Sequence, residues 1–130
     1  MLVNFKDILA DAKKNKYGVG LFNTVNLEMA KGVLAAAEEL RAPVIIGSAE
    51  VLLNCSELRE LADMLKPMAE RATVPVVLHL DHGLTEERVK EAISLGFTSV
   101  MYDCSSKPYE ENKKCLADIV KLAHANNITV

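Results

Sequence analysis

The stretch of sequence that decides the fold is Val74-Pro75-Val76-Val77-Leu78-His79-Leu80-Asp81-His82-Gly83. Its first part, residues 74–80, predicts a β-strand that carries apolar side chains on both faces. Such strands are typical of parallel sheets that are covered by helices, because neither face meets water. Asp81, His82 and Gly83 follow directly. The stretch therefore predicts a buried parallel strand that delivers a carboxylate and an imidazole to the edge of a sheet.

Around this strand, short β-rich segments alternate with longer helical segments. We predict a leading helix over 4–15, further helices over 27–41, 57–72, 86–95 and 110–126, strands over 17–22, 44–46, 74–80 and 97–102, and the start of a fifth strand at 128–130. Strict alternation of strands and helices implies a parallel sheet with right-handed crossover connections. The chain is therefore predicted to be an α/β protein.

Capping residues and breakers mark the ends of these helices. Asn4, Ser56 and Thr85 are the predicted N-caps, because short polar side chains accept hydrogen bonds from the first backbone N–H groups. Gly96 is the glycine expected just beyond a helix end. Pro67 lies within a predicted helix and is expected to end or kink it.

Two architectures fit the alternation, and periodicity alone does not choose between them. One is a doubly wound open sheet, and the other is part of a (βα)₈ barrel. A complete barrel usually needs about 250 residues, roughly twice the length of this chain. The chain also stops three residues into a predicted strand, which favours part of a barrel.

Composition excludes some classes of partner. The 130 residues are 50% hydrophobic and 25% charged, with a net charge of −3 at pH 7. No basic surface is therefore predicted for nucleic acid or an anionic membrane. No apolar run is long enough to span a membrane, and no signal peptide is recognisable. Cys55, Cys104 and Cys115 match no zinc spacing and are predicted to be reduced thiols, so we expect a cytoplasmic protein.

Polar side chains follow each predicted strand. In either architecture, chemistry collects at the carboxyl ends of parallel strands, so these side chains should share one rim. For His79 a packed core position is the favoured interpretation, whereas Asp81 and His82 taken alone fit a functional role and a turn role equally. Asp103 taken alone fits a turn that leads to Ser105. The residues at the predicted rim are Asn23, Thr24, Asn26, Gly47, Ser48, Glu50, Asp81, His82, Gly83, Asp103, Cys104, Ser105 and Ser106.

Three segments together resemble one enzyme family. The segments FNTVNLE (22–28), LHLDHG (78–83) and GFTSVMYD (96–103) are similar to motifs of the class II, zinc-dependent fructose- and tagatose-bisphosphate aldolases. The resemblance covers essentially the whole chain. It implies that residues 1–130 form a partial TIM-barrel domain: the N-terminal (βα)₄ half of a (β/α)₈ barrel, with a leading helix and truncated at the start of strand 5.

The resemblance also implies an activity and roles for single residues. The expected reaction is reversible zinc-dependent aldol cleavage of a phosphorylated sugar, fructose or tagatose 1,6-bisphosphate, to dihydroxyacetone phosphate and glyceraldehyde 3-phosphate. Asp81 matches the acid/base and His82 a zinc ligand. Asp103 matches an acidic position linked to a second divalent or monovalent cation or to an alternative position of the metal. Asn23 matches an asparagine that lines the substrate site.

Two departures from the family pattern matter. The family's substrate-binding serine falls at Ala49, and the candidate here, Ser48, comes one residue early and should point to the opposite side of the strand. The chain also ends before the other zinc histidines and the phosphate-binding loops of the family. A zinc site needs about three protein ligands, and this chain offers one obvious one. The alternative expectation is therefore an inactive half-barrel that acts in assembly, as a homo-oligomer or with a missing C-terminal half.

Overall fold

A computed structural model describes residues 1–54 and 56–130 of the chain. Within them, four parallel strands form one sheet in the order β1-β2-β3-β4. The elements in chain order are α1 (Phe5–Asn15), β1 (Leu21–Asn23), α2 (Leu27–Leu40), β2 (Val44–Ala49), a 3₁₀ turn (Glu50–Leu52), α3 (Leu58–Arg71), β3 (Val76–Gly83), α4 (Glu86–Leu95), β4 (Ser99–Tyr102) and α5 (Tyr109–Ala125).

The order of the strands and the position of the helices settle the choice of architecture. The strands follow each other in chain order without the reversal that a doubly wound sheet contains. The main core packs helices α2 to α5 against one face of the sheet, as Leu34, Leu65, Val89 and Ile119 show. One helical layer outside a parallel sheet is the arrangement of a TIM barrel. The prediction of a (βα)₄ half-barrel is confirmed.

Strand β3 lies at the centre of this core. Val76, Val77, Leu78 and Leu80 have no exposed surface. Full burial of each such side chain stabilises the fold by about 1.5–3 kcal/mol. Alternation along the strand directs Val76, Leu78 and Leu80 toward the helices and leaves Val77, His79 and Asp81 on the inner face.

Helix α1 covers part of the inner face. Its Ile8 packs with Ile45 and Val77 in a second, smaller cluster. The Phe5 ring lies 5.5 Å from the imidazole of His79, measured between ring centroids. The predicted cap is also present, because the Asn4 side chain accepts a hydrogen bond from the N–H of Lys6 at 3.0 Å.

The first strand and the third strand differ from their predicted bounds. The strand predicted over 17–22 forms only at Leu21–Asn23, because pairing with β2 starts where Leu21 lies beside Ile45. Strand β3 continues beyond the predicted end at 80 to Gly83, since Ala49 at the end of β2 still pairs with Asp81. At the other edge, Thr129 forms a parallel bridge with Ser99, as expected for the start of a fifth strand.

The predicted N-cap of helix α3 is wrong. Its N-cap is Glu57 rather than Ser56, and the Glu60 carboxylate accepts a hydrogen bond from the N–H of Glu57 at 3.1 Å. Pro67 does not end the helix, which continues to Arg71. Leu65 before the proline and Ala69 after it are both fully buried, so packing offsets the roughly 3 kcal/mol that an interior proline costs.

A membrane-spanning helix needs a minimum length and hydropathy. In the described part of the chain, no helix is both long and apolar enough to cross a bilayer.

Gly47 is the residue that lets β2 approach β3. A Cβ atom at this position would lie 1.8 Å from the carbonyl oxygen of His79 on the neighbouring strand. Gly47→Ala should therefore lower the free energy of unfolding by about 1–3 kcal/mol, because the two strands must separate. Urea unfolding followed by circular dichroism measures this change. Gly18→Ala is the matched control, since nothing lies within 4 Å of its added Cβ; equal destabilisation by the two substitutions would contradict the proposed close approach.

Burial of His79 predicts how stability depends on pH. Burial lowers the pKa of His79 from its usual 6.5 to about 4, so between these values the unfolded chain binds a proton that the folded chain does not. Stability should consequently fall as the pH falls from 6.5 toward 4, by an amount on the order of 3 kcal/mol. Denaturation curves at several pH values should show a flatter dependence for His79→Gln. His124→Gln, on the exposed surface of α5, should leave the slope unchanged; a slope that persists in His79→Gln would contradict the assignment.

Candidate functional site

The carboxyl ends of three strands bring together polar side chains that are distant in sequence. Asn23 is the last residue of β1, Asp81 and His82 lie near the end of β3, and Asp103 follows β4. Because parallel strands end at the same edge of a sheet, all four residues lie at one rim. This is the rim that the sequence predicted.

An unusual backbone conformation at His82 places its ring near Asp81. Consecutive residues of a regular strand point to opposite faces. His82 instead has φ of 45°, in the left-handed region that non-glycine residues seldom adopt. The pairing of β3 with β4 is also irregular between Leu80 and Gly83. As a result His82 Nε2 lies 3.9 Å from Asp81 Oδ1.

Asp103 fixes the other side of the His82 ring. His82 Nδ1 lies 2.9 Å from Asp103 Oδ2, within hydrogen-bonding distance. Asp103 Oδ1 accepts a hydrogen bond from the N–H of Ser105 at 3.0 Å, which is the turn that the sequence indicated. In the neutral imidazole this arrangement favours a proton on Nδ1, which leaves the lone pair of Nε2 available.

The pKa values of this pair move in opposite directions. Hydrogen bonds from Ser105 and then from His82 lower the pKa of Asp103 to about 2. The hydrogen bond to Asp103, followed by the charge of Asp81, raises the pKa of His82. The His82 side chain is 53% exposed, so its Nε2 can be reached from solvent. The pair therefore presents an accessible nitrogen held in place by an ionised carboxylate.

His79 lies beneath Asp81 on the inner face. Its Nδ1 lies 2.9 Å from Ser99 Oγ, and its Nε2 lies 3.9 Å from Asp81 Oδ1. Burial holds its pKa at about 4, so the ring is neutral near pH 7. The packed position that the sequence favoured for His79 is what the structure shows, and the contact with Asp81 adds a polar neighbour to the candidate acid/base.

Asn23 and Ser48 occupy different positions relative to the rim. Asn23 Oδ1 accepts a hydrogen bond from the N–H of Ala49 at 3.0 Å, so it ties the end of β1 to the end of β2 beside Asp81. Ser48 pairs with Leu80 and is 1% exposed, and its hydroxyl donates to the carbonyl of Ala49 at 3.2 Å. The structure therefore places Ser48 on the helix-facing side and does not bring it together with Asp81.

Two supporting residues received no role from the sequence. Glu50 accepts hydrogen bonds from the N–H groups of Leu84 and Thr85, at 2.6 and 3.1 Å, and so anchors the segment that follows His82. Ser99 is the partner of His79. Ser99 gave no clear local signal, because Thr98 beside it is also polar, and the contact of Glu50 spans 34–35 positions and has no local signature.

The described residues do not form a complete metal site. Among residues 1–54 and 56–130, no group of three or more His, Cys, Asp or Glu side chains is arranged to hold a metal ion. Zinc in a catalytic site takes about three protein ligands. His82 Nε2 has the chemistry of one such ligand, because the Asp103 carboxylate orients the ring through Nδ1. The residues present therefore fit the supply of one zinc ligand.

Comparison with known proteins agrees with this geometry. Residues 3–130 match the family model described as fructose-bisphosphate aldolase class-II. The chain is 44% identical over 132 residues to the fructose-bisphosphate aldolase of Geobacillus stearothermophilus, covering 99% of this chain and 46% of that protein. It is 39% identical over 130 residues to the fructose-bisphosphate aldolase of Giardia intestinalis, covering 99% of this chain and 40% of that protein.

A solved structure shows the same relationship. The crystal structure of the YdjI aldolase from Escherichia coli K12 superposes with a TM-score of 0.94 at 35% identity, over 98% of this chain and 48% of that one. The chain thus spans about half the length of the relatives that it matches. On the family match and these similarities, the chain belongs to the class II fructose-bisphosphate aldolase family.

Proposed function

We propose that residues 1–130 supply the acid/base and one metal ligand of a class II ketose-bisphosphate aldolase. The reaction is the reversible, zinc-dependent cleavage of fructose or tagatose 1,6-bisphosphate to dihydroxyacetone phosphate and glyceraldehyde 3-phosphate. The observation that carries this proposal is the arrangement at the rim, where Asp81 lies 3.9 Å from an imidazole whose other nitrogen is held by Asp103. Membership of the family gives the reaction class.

Asp81 is the proposed acid/base. Its side chain is 21% exposed and lies at the rim, above the buried His79. A carboxylate in this position can accept the proton of a substrate hydroxyl and return it in the reverse direction. The neutral His79 beneath it adds no positive charge. Asn23, which holds the neighbouring strand end, is the proposed substrate-lining amide.

His82 is the proposed zinc ligand. When bound, zinc supplies Lewis-acid polarisation of the substrate oxygens. Asp103 contacts Nδ1 of the His82 imidazole, so Nε2 is directed away from the Asp103 carboxylate. Both oxygens of Asp103 are engaged in the structure, by Ser105 and by His82, which supports an orienting role more strongly than direct binding of a second cation.

The remaining zinc ligands and the phosphate-binding groups would come from outside the described residues. We propose that a C-terminal half of the barrel supplies them. The exposed fraction of Leu21 is 38% and that of Phe22 is 47%, so strand β1 presents an uncovered apolar edge for such a partner.

A second candidate function is an inactive half-barrel with a role in assembly alone. The incomplete metal site and the exposed edge of β1 favour it. In that case a second copy of this chain would cover the edge, and no sugar phosphate would be cleaved.

A chimera distinguishes the two candidates. Residues 1–130 replace the matching segment of the Geobacillus stearothermophilus aldolase, and a coupled assay measures cleavage of each ketose bisphosphate. The isolated chain with added zinc should show no turnover, because it lacks most metal ligands, whereas the chimera should be active. Asp81→Asn in the chimera should lower kcat by about 10²–10⁴-fold.

The matched control for that experiment is Asp118→Asn, on the exposed face of α5, which should leave kcat unchanged. Full activity of the Asp81→Asn chimera would contradict the proposed acid/base. Turnover by the isolated chain would contradict the need for a second half.

Zinc binding tests the role of His82 separately. The isolated chain should bind zinc weakly, and His82→Ala should abolish that binding because the available nitrogen is lost. Asp103→Asn should weaken it by about 10–100-fold, since it removes the carboxylate that orients the ring. Isothermal titration calorimetry gives the dissociation constants, with His124→Ala as the control. Tight stoichiometric zinc that survives His82→Ala would show that the metal site lies elsewhere.

A further inference from the structure

Two thiols lie together behind the rim, outside the groups that the proposed reaction uses. Cys104 and Cys115 are free thiols in the structure. Cys104 follows β4 and is 3% exposed, whereas Cys115 lies on α5 and is half-buried. Cys115 packs against the core cluster that contains Cys104, and burial, followed by the interaction with Cys115, raises the pKa of the Cys104 thiol.

A lysine lies beside the more accessible thiol. Lys107 Nζ lies 3.4 Å from Cys115 Sγ. A turn in the loop after β4 brings the lysine there, because the N–H of Lys107 donates to the carbonyl of Cys104 at 2.9 Å. The hydrogen bond to Cys115 also raises the pKa of Lys107 and so keeps the ammonium group charged. Reactive cysteines are typically found beside such cationic groups.

We propose that Cys104 and Cys115 form a reversible, peroxide-responsive disulfide in which Cys115 reacts first and Cys104 resolves the intermediate. The geometry assigns these roles: Cys115 is accessible and has Lys107 at its sulfur, whereas Cys104 is buried behind it. Redox-sensitive cysteines are typically accessible and lie next to a resolving thiol.

The oxidant is a peroxide, and the two steps balance. In the first step the Cys115 thiolate attacks one peroxide oxygen, the O–O bond breaks, and Cys115 becomes a sulfenic acid while hydroxide leaves. In the second step the Cys104 sulfur attacks the sulfenic sulfur. The S–O bond breaks, the S–S bond forms, and the thiol proton leaves with the oxygen as water. Overall, the two thiols lose two electrons and the peroxide is reduced to water.

The bond would join the loop after β4 to helix α5. Cys104 directly follows Asp103, so oxidation would fasten to α5 the backbone next to the carboxylate that contacts His82. The link itself does not depend on the proposed aldolase activity, because neither thiol is among the groups that the proposed reaction uses.

Mass spectrometry tests the proposal on the Cys55→Ser chain, which retains only these two cysteines. The reduced protein is treated with hydrogen peroxide, and remaining thiols are then blocked with a maleimide. We expect the mass to fall by two hydrogen atoms, no maleimide to be added, and digestion to yield one peptide pair linked through Cys104 and Cys115. Dithiothreitol should restore both thiols. Two maleimide adducts after peroxide treatment, or links only between separate chains, would overturn the proposal.

Single substitutions test the order of the two steps. In Cys104→Ala, Cys115 should stop at the sulfenic acid and be trapped by dimedone, whereas in Cys115→Ser the Cys104 thiol should stay reduced. Lys107→Gln should slow oxidation of Cys115 by about threefold. Lys121→Gln, at an exposed position on the same helix as Cys115, should not change the rate. Oxidation of Cys104 in Cys115→Ser at the original rate, or an unchanged rate in Lys107→Gln, would overturn the assigned roles.

Discussion

The close pairing of β2 with β3 at Gly47 is the constraint on which the rest of the structure depends. Because Gly47 has no Cβ, its strand can run beside the carbonyl of His79. The register then continues to the strand ends, where Ala49 lies beside Asp81. Asn23 in turn holds the N–H of Ala49, so β1 joins the same rim. A side chain at Gly47 would disturb each of these contacts.

Two histidines at this rim have pKa values that shift in opposite directions, because their surroundings differ. His79 is buried against Phe5 and Ser99, and its pKa falls to about 4. His82 is exposed and hydrogen-bonded to Asp103, so its pKa is raised instead. Asp81 lies 3.9 Å from a nitrogen of each ring. The candidate acid/base therefore has a neutral neighbour below it and an exposed, carboxylate-bound imidazole beside it.

Some of this arrangement could be predicted from the sequence because its causes are local. The apolar residues on both faces of 74–80 predicted a buried parallel strand, and Asn4 and Thr85 marked the starts of their helices. Strand β1 was placed too early because its three residues are defined by pairing with β2 and carry no periodicity of their own. Helix α3 continues past Pro67 to Arg71, close to its predicted end at 72, because the burial of Leu65 and Ala69 outweighs the effect of the proline.

The geometry of the site depends on contacts that local patterns do not contain. Strand alternation places Asp81 and His82 on opposite faces, and only the left-handed backbone at His82 brings their side chains together. The sequence placed Asp103 at the same rim but could not show its hydrogen bond to His82, which spans 21 positions. The burial of Ser48 follows from its pairing with Leu80, and the sequence had indicated that it points away from the site.

The protonation of the His82 ring tests most directly whether Asp103 prepares this residue to bind a metal. An NMR spectrum that correlates the ring protons with both ring nitrogens, recorded above the pKa of His82, distinguishes the two neutral tautomers. A proton on Nδ1 and an unprotonated Nε2 are the predicted result, and Asp103→Asn should shift the population toward the other tautomer. A ring that carries its proton mainly on Nε2 in the unsubstituted chain would contradict the assignment of His82 as an oriented metal ligand.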